Sequence, residues 1–211
     1  MFIGHLSVAY VLIRLFPYVP ALVLLVGVGV PDILWPILIL IGVEHVIINP
    51  NSPLQKYIKF TSYPFSHSLV LTSVIVCVPA VVLALTVTPL AAVLFVAASA
   101  SHWILDTIVH LRDLPIAGFG RDKKVGLGLW NRPRTAFVLE YALYAVVTIL
   151  VIPANLIAPL LAVGAIFHLL NANSFLGFTK TNPFRTDRAY AFITLFGFVA
   201  MALIVNYVLV F

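Results

Sequence analysis

Charge is scarce in this chain: Asp, Glu, Lys and Arg make up 9% of its 211 residues, against about a quarter in soluble domains. With 63% hydrophobic residues and a mean hydropathy of +1.14, there is too little polar surface to clothe a water-soluble fold, which excludes one. Cysteine is almost missing. The single Cys77 lies in an apolar run and can form neither an internal disulfide nor a thiolate metal cluster. No internal repeat, soluble domain or polar linker is visible, so residues 1–211 read as one transmembrane domain. Residues 1–12 lack a basic leader and a small-residue cleavage site and carry His5, so the N-terminus is expected to be retained.

What the chain has instead is long apolar runs. A crossing of the hydrocarbon layer needs about 20 apolar residues at a rise of about 1.5 Å each. The expected fold class is therefore all-α, a polytopic transmembrane helical bundle of about 6–8 membrane segments. Residues 65–85, 90–110, 135–152 and 188–211 read as spanning helices, and 155–170 as a shorter one. The first 48 residues are interrupted by Pro17, Pro20, Pro31 and Pro36. They read as short helices over 2–16 and 19–30, followed by a third piece over 33–48 that is re-entrant or joins its neighbours. Pro31 is expected to end or kink a helix, since it lacks an N–H and clashes with the preceding turn.

The cations gather in three long connections: Lys56 and Lys59; Arg112, Arg121, Lys123, Lys124, Arg132 and Arg134; and Lys180 and Arg185. A net charge of +5 distributed this way is a topology signal rather than a nucleic-acid footprint, and it places these loops on the cytoplasmic side of the inner membrane. The expected partner is the lipid bilayer, with no nucleic acid.

An ionisable side chain inside a bilayer is costly unless paired, hydrated or bound to metal, so each one marks a candidate site. His102, Asp106 and His110 recur every four residues and share one helical face. His67 near the start of one expected helix, and Glu140 about two turns into another, fall at the same depth, on the basic-loop side. Several helices presenting such ligands at one level is how bundles hold metals. Asp32 and His5 have no neighbouring partner of opposite charge and need one from elsewhere in the bundle. Imidazole and carboxylate together suit zinc, iron or manganese. The candidate ligands are thus His5, Asp32, His67, His102 and Asp106, with Glu140 and Asp32 as candidate catalytic carboxylates. Glu140 is alternatively a partner for Arg132 or Arg134. His110 reads equally as a ligand or an interfacial residue, Glu44 and His45 as ordinary interface residues, and His168 as a satisfied buried histidine. Ser66, Ser68 and Ser101 flank the histidines and could orient imidazoles or substrate.

The motifs FIGH, PDILWP, GVEH, SYPFSHSL, SHWILDTIVHLRDLP and GLGLWN together resemble a family of bacterial and archaeal membrane proteins akin to the membrane-bound metal-dependent hydrolases, the LexA-binding inner-membrane hydrolase-like proteins. The likeness covers about the first two thirds of the chain. It implies a metal site on His5, Asp32, His67, His102 and Asp106. Where relatives begin their central block with His-Arg, this chain has Ser62 and Tyr63, so one ligand or phosphate-facing arginine of the family pattern is absent.

The function these readings favour is a metal-dependent hydrolase using a divalent metal, foremost zinc, on an ester or phosphoester that is anionic or lipid-linked. The rival is a proton-coupled or solute transporter built on the same buried acids and histidines, against which stands the lack of repeated halves. A di-iron oxidase would ordinarily use more histidines, and an inert scaffold would not explain the buried ionisable groups. The glycine-rich segment 114–134, with Leu127, Leu129 and Trp130, is expected to pack over the mouth of the site.

Overall fold

Backbone N–H and C=O groups cannot stay unpaired in hydrocarbon, which confines a chain this apolar to helices wherever lipid surrounds it. The computed structural model describes residues 1–210 and is mostly helical. A single 3₁₀ turn, Ile3–His5, leads into α1 (Leu6–Leu15), and α2 follows at Ala21–Leu40. A short hairpin of β1 (His45–Ile47) and β2 (Lys59–Ser62) precedes α3 (Pro64–His67), α4 (Leu69–Thr86) and α5 (Pro89–Val109). A second small hairpin, β3 (Leu114–Pro115) with β4 (Lys124–Val125), fills the next connection. Then come α6 (Pro133–Val151), α7 (Ala154–Leu170), α8 (Asn173–Leu176) and α9 (Asp187–Val210). The expected final helix ended at Phe211, which lies outside the described residues.

Among the described residues, five helices, α2, α4, α5, α6 and α9, are long and apolar enough to cross a membrane. In α4 only 17% of the most apolar window is buried within the protein, and Val74, Val78, Val81, Val82 and Leu85 face outward. An apolar surface of that extent is stable against lipid and not against water.

Three expectations about local structure need correcting. The helix does not end at Pro31: α2 runs on through both Pro31 and Pro36. Proline lacks the donor that would reach the carbonyl four residues earlier, that of Gly27 for Pro31, a loss that surroundings within a bundle can offset; the next carbonyl, that of Val28, accepts from His102. The expected helix over 65–85 is instead split at Ser68, which is extended (φ −90°, ψ 145°) and caps α4 by accepting from the Thr72 amide at 3.2 Å. His67 therefore sits on a turn of its own. The piece expected over 33–48 is divided between α2 and the first hairpin, whose strands pair antiparallel, Val46 opposite Phe60 and Ile47 opposite Lys59.

The central packing is α2 against α5 and α9, with α1 and α6 alongside. Gly27 lets α2 approach α5 closely: a Cβ there would stand 3.0 Å from that of Ala98. The main core joins Leu6, Tyr10, Leu25, Val28, Tyr144 and Leu160. The Tyr144 hydroxyl donates to the Leu160 carbonyl at 2.6 Å and lies 3.1 Å from that of Tyr10, so the buried phenols are satisfied. The polar connections meet at one end, where the Asn182 amide donates to the Pro50 carbonyl and the Val70 amide to that of Ile116.

Candidate metal centre

All five expected ligands converge at the loop end of the bundle. The 3₁₀ turn before α1 supplies His5, α2 Asp32, α3 His67, and α5 both His102 and Asp106. His102 Nε2 lies 3.2 Å from Asp106 Oδ2 and 3.8 Å from Asp32 Oδ2. His67 Nε2 lies 3.5 Å from Asp32 Oδ1 and 3.9 Å from Asp106 Oδ2. His5 Nε2 is 3.2 Å from Asp106 Oδ1. Asp32, His67 and His102 form one group, and His5, His102 and Asp106 a second, in which the donor atoms all lie within 4.8 Å of one another. The two groups share His102. The Met1 amino nitrogen also bonds to Asp106.

The way each imidazole is anchored matters more than proximity. His102 Nδ1 lies 2.7 Å from the Val28 carbonyl oxygen, a pure acceptor, so Nδ1 carries the proton and Nε2 the lone pair. His67 Nδ1 lies 2.8 Å from Ser66 Oγ. That hydroxyl spends its own proton on Glu44 Oε2 at 2.6 Å, and so it accepts from His67. His110 Nδ1 lies 2.9 Å from Asp113 Oδ1 and donates to it, leaving Nε2 at 3.5 Å from Asp106 Oδ2. Three imidazoles thus turn lone pairs toward two carboxylates. Outer partners that fix tautomer and ring orientation in this way accompany metal-ligating histidines.

The donor set fits a divalent metal. Two ligands each about 2.0–2.2 Å from a tetrahedral zinc lie about 3.3–3.6 Å apart, and the nitrogen-to-oxygen separations here run from 3.2 to 3.9 Å. Among the described residues, none forms a hydrogen bond with His102 Nε2 or with either nitrogen of His5, all buried, an arrangement that costs free energy unless something else satisfies these rings. The His67 and His102 rings cross at 74°, which suits lone pairs meeting at a point, whereas His5 stacks flat on His102 at 8° with centroids 3.5 Å apart.

Glu140 is placed differently from the rest. Its Oε1 accepts from the backbone amides of Phe2 and of Gly4, the latter at 3.2 Å, so it holds the turn that carries His5 and belongs to neither ligand group. His168 is buried, stacked on Phe137 with Nε2 bonded to the Phe137 carbonyl at 2.9 Å, as a structural histidine. His45 is exposed on β1.

Glu44 departs furthest from the expectation of an ordinary interface residue. It is fully buried and accepts from Phe65 N at 2.8 Å, Ser66 N at 3.0 Å and Ser66 Oγ, capping α3 and anchoring His67 through the serine. Burial pushes its carboxyl up to about 7 against the pull of those bonds. Asp113 is held below the usual carboxylate range: burial opposes this, but the bond and charge of His110 and the charge of Lys124 outweigh it. The loop over 114–134 packs inward as expected at Trp130, which is 6% exposed and has its ring centroid 4.3 Å from that of His110, although Leu127 projects outward.

No family model, curated protein or solved structure matches this chain. The likeness to membrane-bound hydrolases rests on the motifs alone.

Proposed function

We propose that this is a polytopic membrane hydrolase whose divalent metal, foremost zinc, is held by His67, His102 and Asp106, leaving a position for water, with Asp32, His5 and His110 at its edge. The observation that carries the reading is the anchoring of three imidazoles through Nδ1, which aims their Nε2 lone pairs at two buried carboxylates. A zinc ion there would bring the pKa of a bound water toward about 7 and polarise an ester or phosphoester oxygen. Asp32, with 13% of its side chain exposed against 2% for Asp106, is the carboxylate placed to take a proton from an entering water. Asp106 braces four histidines at once. Glu140 serves by positioning His5, not as the base.

The two shorter apolar helices, Ile3–Leu15 and Ala154–Leu170, bring the five long ones to seven membrane segments. By the positive-inside rule the cationic loops, and the site beneath them, face the cytoplasm of an inner-membrane protein. Elemental analysis and zinc titration of the purified protein test the reading. His102→Ala and Asp106→Ala should each lose most of the metal, and His168→Ala none. A wild-type protein that neither retains nor binds a transition metal would sink it and favour the transporter.

A further inference from the structure

A cavity of about 470 Å³ begins at Asp32, His67, Asp106 and His110 and continues past Phe175 and Phe198 along α9. That volume lies in the range of about 300–1,000 Å³ typical of pockets that enclose an organic ligand. Its walls are mostly aromatic and aliphatic, interrupted by the neutral amides Gln55, Asn171, Asn173 and Asn182, and no Lys or Arg among the described residues lines it. A small, soluble, anionic substrate would find no fixed cation beyond the Met1 amino group and the histidine–aspartate cluster, and much apolar wall. The rim includes Leu170, Ile193 and Phe196, which are 75%, 42% and 65% exposed. Since Ile193 and Phe196 belong to a membrane-length helix, that rim meets hydrocarbon.

We infer that the cavity is an acyl-chain site, and that the substrate is a bilayer amphiphile whose hydrocarbon chain enters sideways past α9 while its ester or phosphoester reaches the histidine–aspartate cluster. The chain passes from lipid to protein without crossing water, so these apolar walls need only replace the hydrocarbon contacts it leaves. The amides at the loop end supply donors and acceptors for a neutral head group. The inference rests on the cluster being hydrolytic, but the occupancy of the cavity can be measured separately.

Gly197 makes that possible. It lines the cavity, and a Cβ built there meets no atom within 4 Å, so a larger side chain enters empty space. Trp35 and Trp130 line the same cavity and are buried, whereas Trp103, the third tryptophan, is not among its walls. The probe is lysophosphatidylcholine brominated in mid-chain, added to the zinc-titrated protein in detergent while tryptophan fluorescence is read. Saturable quenching is expected in the wild type and in Gly197→Ala. Gly197→Phe, and Thr194→Leu one turn away, should weaken it by about tenfold or more with zinc content unchanged, which also shows that the variants are folded. His102→Ala should lose zinc and keep the quenching. Absence of saturable quenching in the wild type, or equal quenching in Gly197→Phe, overturns the acyl-chain site even if zinc binds. A wild type that is quenched but binds no zinc keeps the acyl-chain site and overturns the hydrolase.

Discussion

Replacing Glu44 by glutamine keeps the shape of a side chain that touches no candidate ligand, yet it should cost the protein its metal affinity. The amide oxygen of Gln can go on accepting from Phe65 N and Ser66 N, as Glu44 Oε1 does at 2.8 and 3.0 Å. The amide nitrogen then takes the place of Oε2, 2.6 Å from Ser66 Oγ, and donates where the carboxylate accepted. Ser66 must turn its own proton to His67 Nδ1, 2.8 Å away. The imidazole is thereby forced into the tautomer with its proton on Nε2, aimed at Asp32 rather than offering a lone pair. Loss of such an outer partner typically lowers metal affinity by about 10–100-fold, which is about 1.4–2.7 kcal/mol. Ser66→Ala makes the contrast. It leaves His67 free to choose its tautomer and strands one buried oxygen of Glu44, at about 1–3 kcal/mol of stability. Isothermal titration with zinc should therefore rank the wild type first, Ser66→Ala second and Glu44→Gln last, whereas thermal unfolding without metal should penalise Ser66→Ala more. Wild-type zinc affinity in Glu44→Gln, or weaker binding by Ser66→Ala than by Glu44→Gln, would refute the tautomer argument.

Trp130→Ala removes an aromatic that covers His110 and Phe60 and should destabilise the protein by about 3 kcal/mol, read as a lower midpoint of thermal unfolding in detergent. An unchanged midpoint would mean that the loop does not close the bundle end. The Asp113 carboxyl is held below its ordinary pKa, so the folded state releases its proton more readily than the unfolded chain. The stabilisation is complete above the unfolded value of about 4 and fades as pH falls through the folded one. Asp113→Asn should flatten the stability profile below pH 4 relative to the wild type, and a profile unchanged on substitution would count against the His110–Asp113 bond. A single cysteine introduced at Lys123 should resist an impermeant thiol reagent added outside intact cells, and its labelling from outside would reverse the proposed orientation.

Periodicity and composition made the membrane character legible, because apolar helices of spanning length follow directly from the absence of water in the bilayer. Of the site, the residues nearest to one another in the chain were the most readable. His102 and Asp106 are four apart and must share a face, and the isolation of His5 and Asp32 in apolar sequence already required distant partners. Glu44 was opaque for the opposite reason. Next to His45, before a polar loop, it resembles any interfacial acid, and only the hairpin of β1 and β2 carries the chain back so that Phe65 and Ser66 donate to it.

Sequence alone thus determined that the chain lives in lipid, that its ionisable groups must cluster, and which residue types could bind a metal. Each of these follows from the cost of placing a polar or charged group in hydrocarbon, and that cost is local to the residue. Tertiary structure decided the tautomers, the passage of α2 through its prolines, the bonding of Glu140 to the turn that carries His5 and the course of the cavity beside α9. Those depend on which carbonyl, hydroxyl or empty space stands opposite a side chain, as Val28 stands opposite His102 across 74 residues of sequence. No pattern along the chain encodes that distance, because the packing of helices sets it.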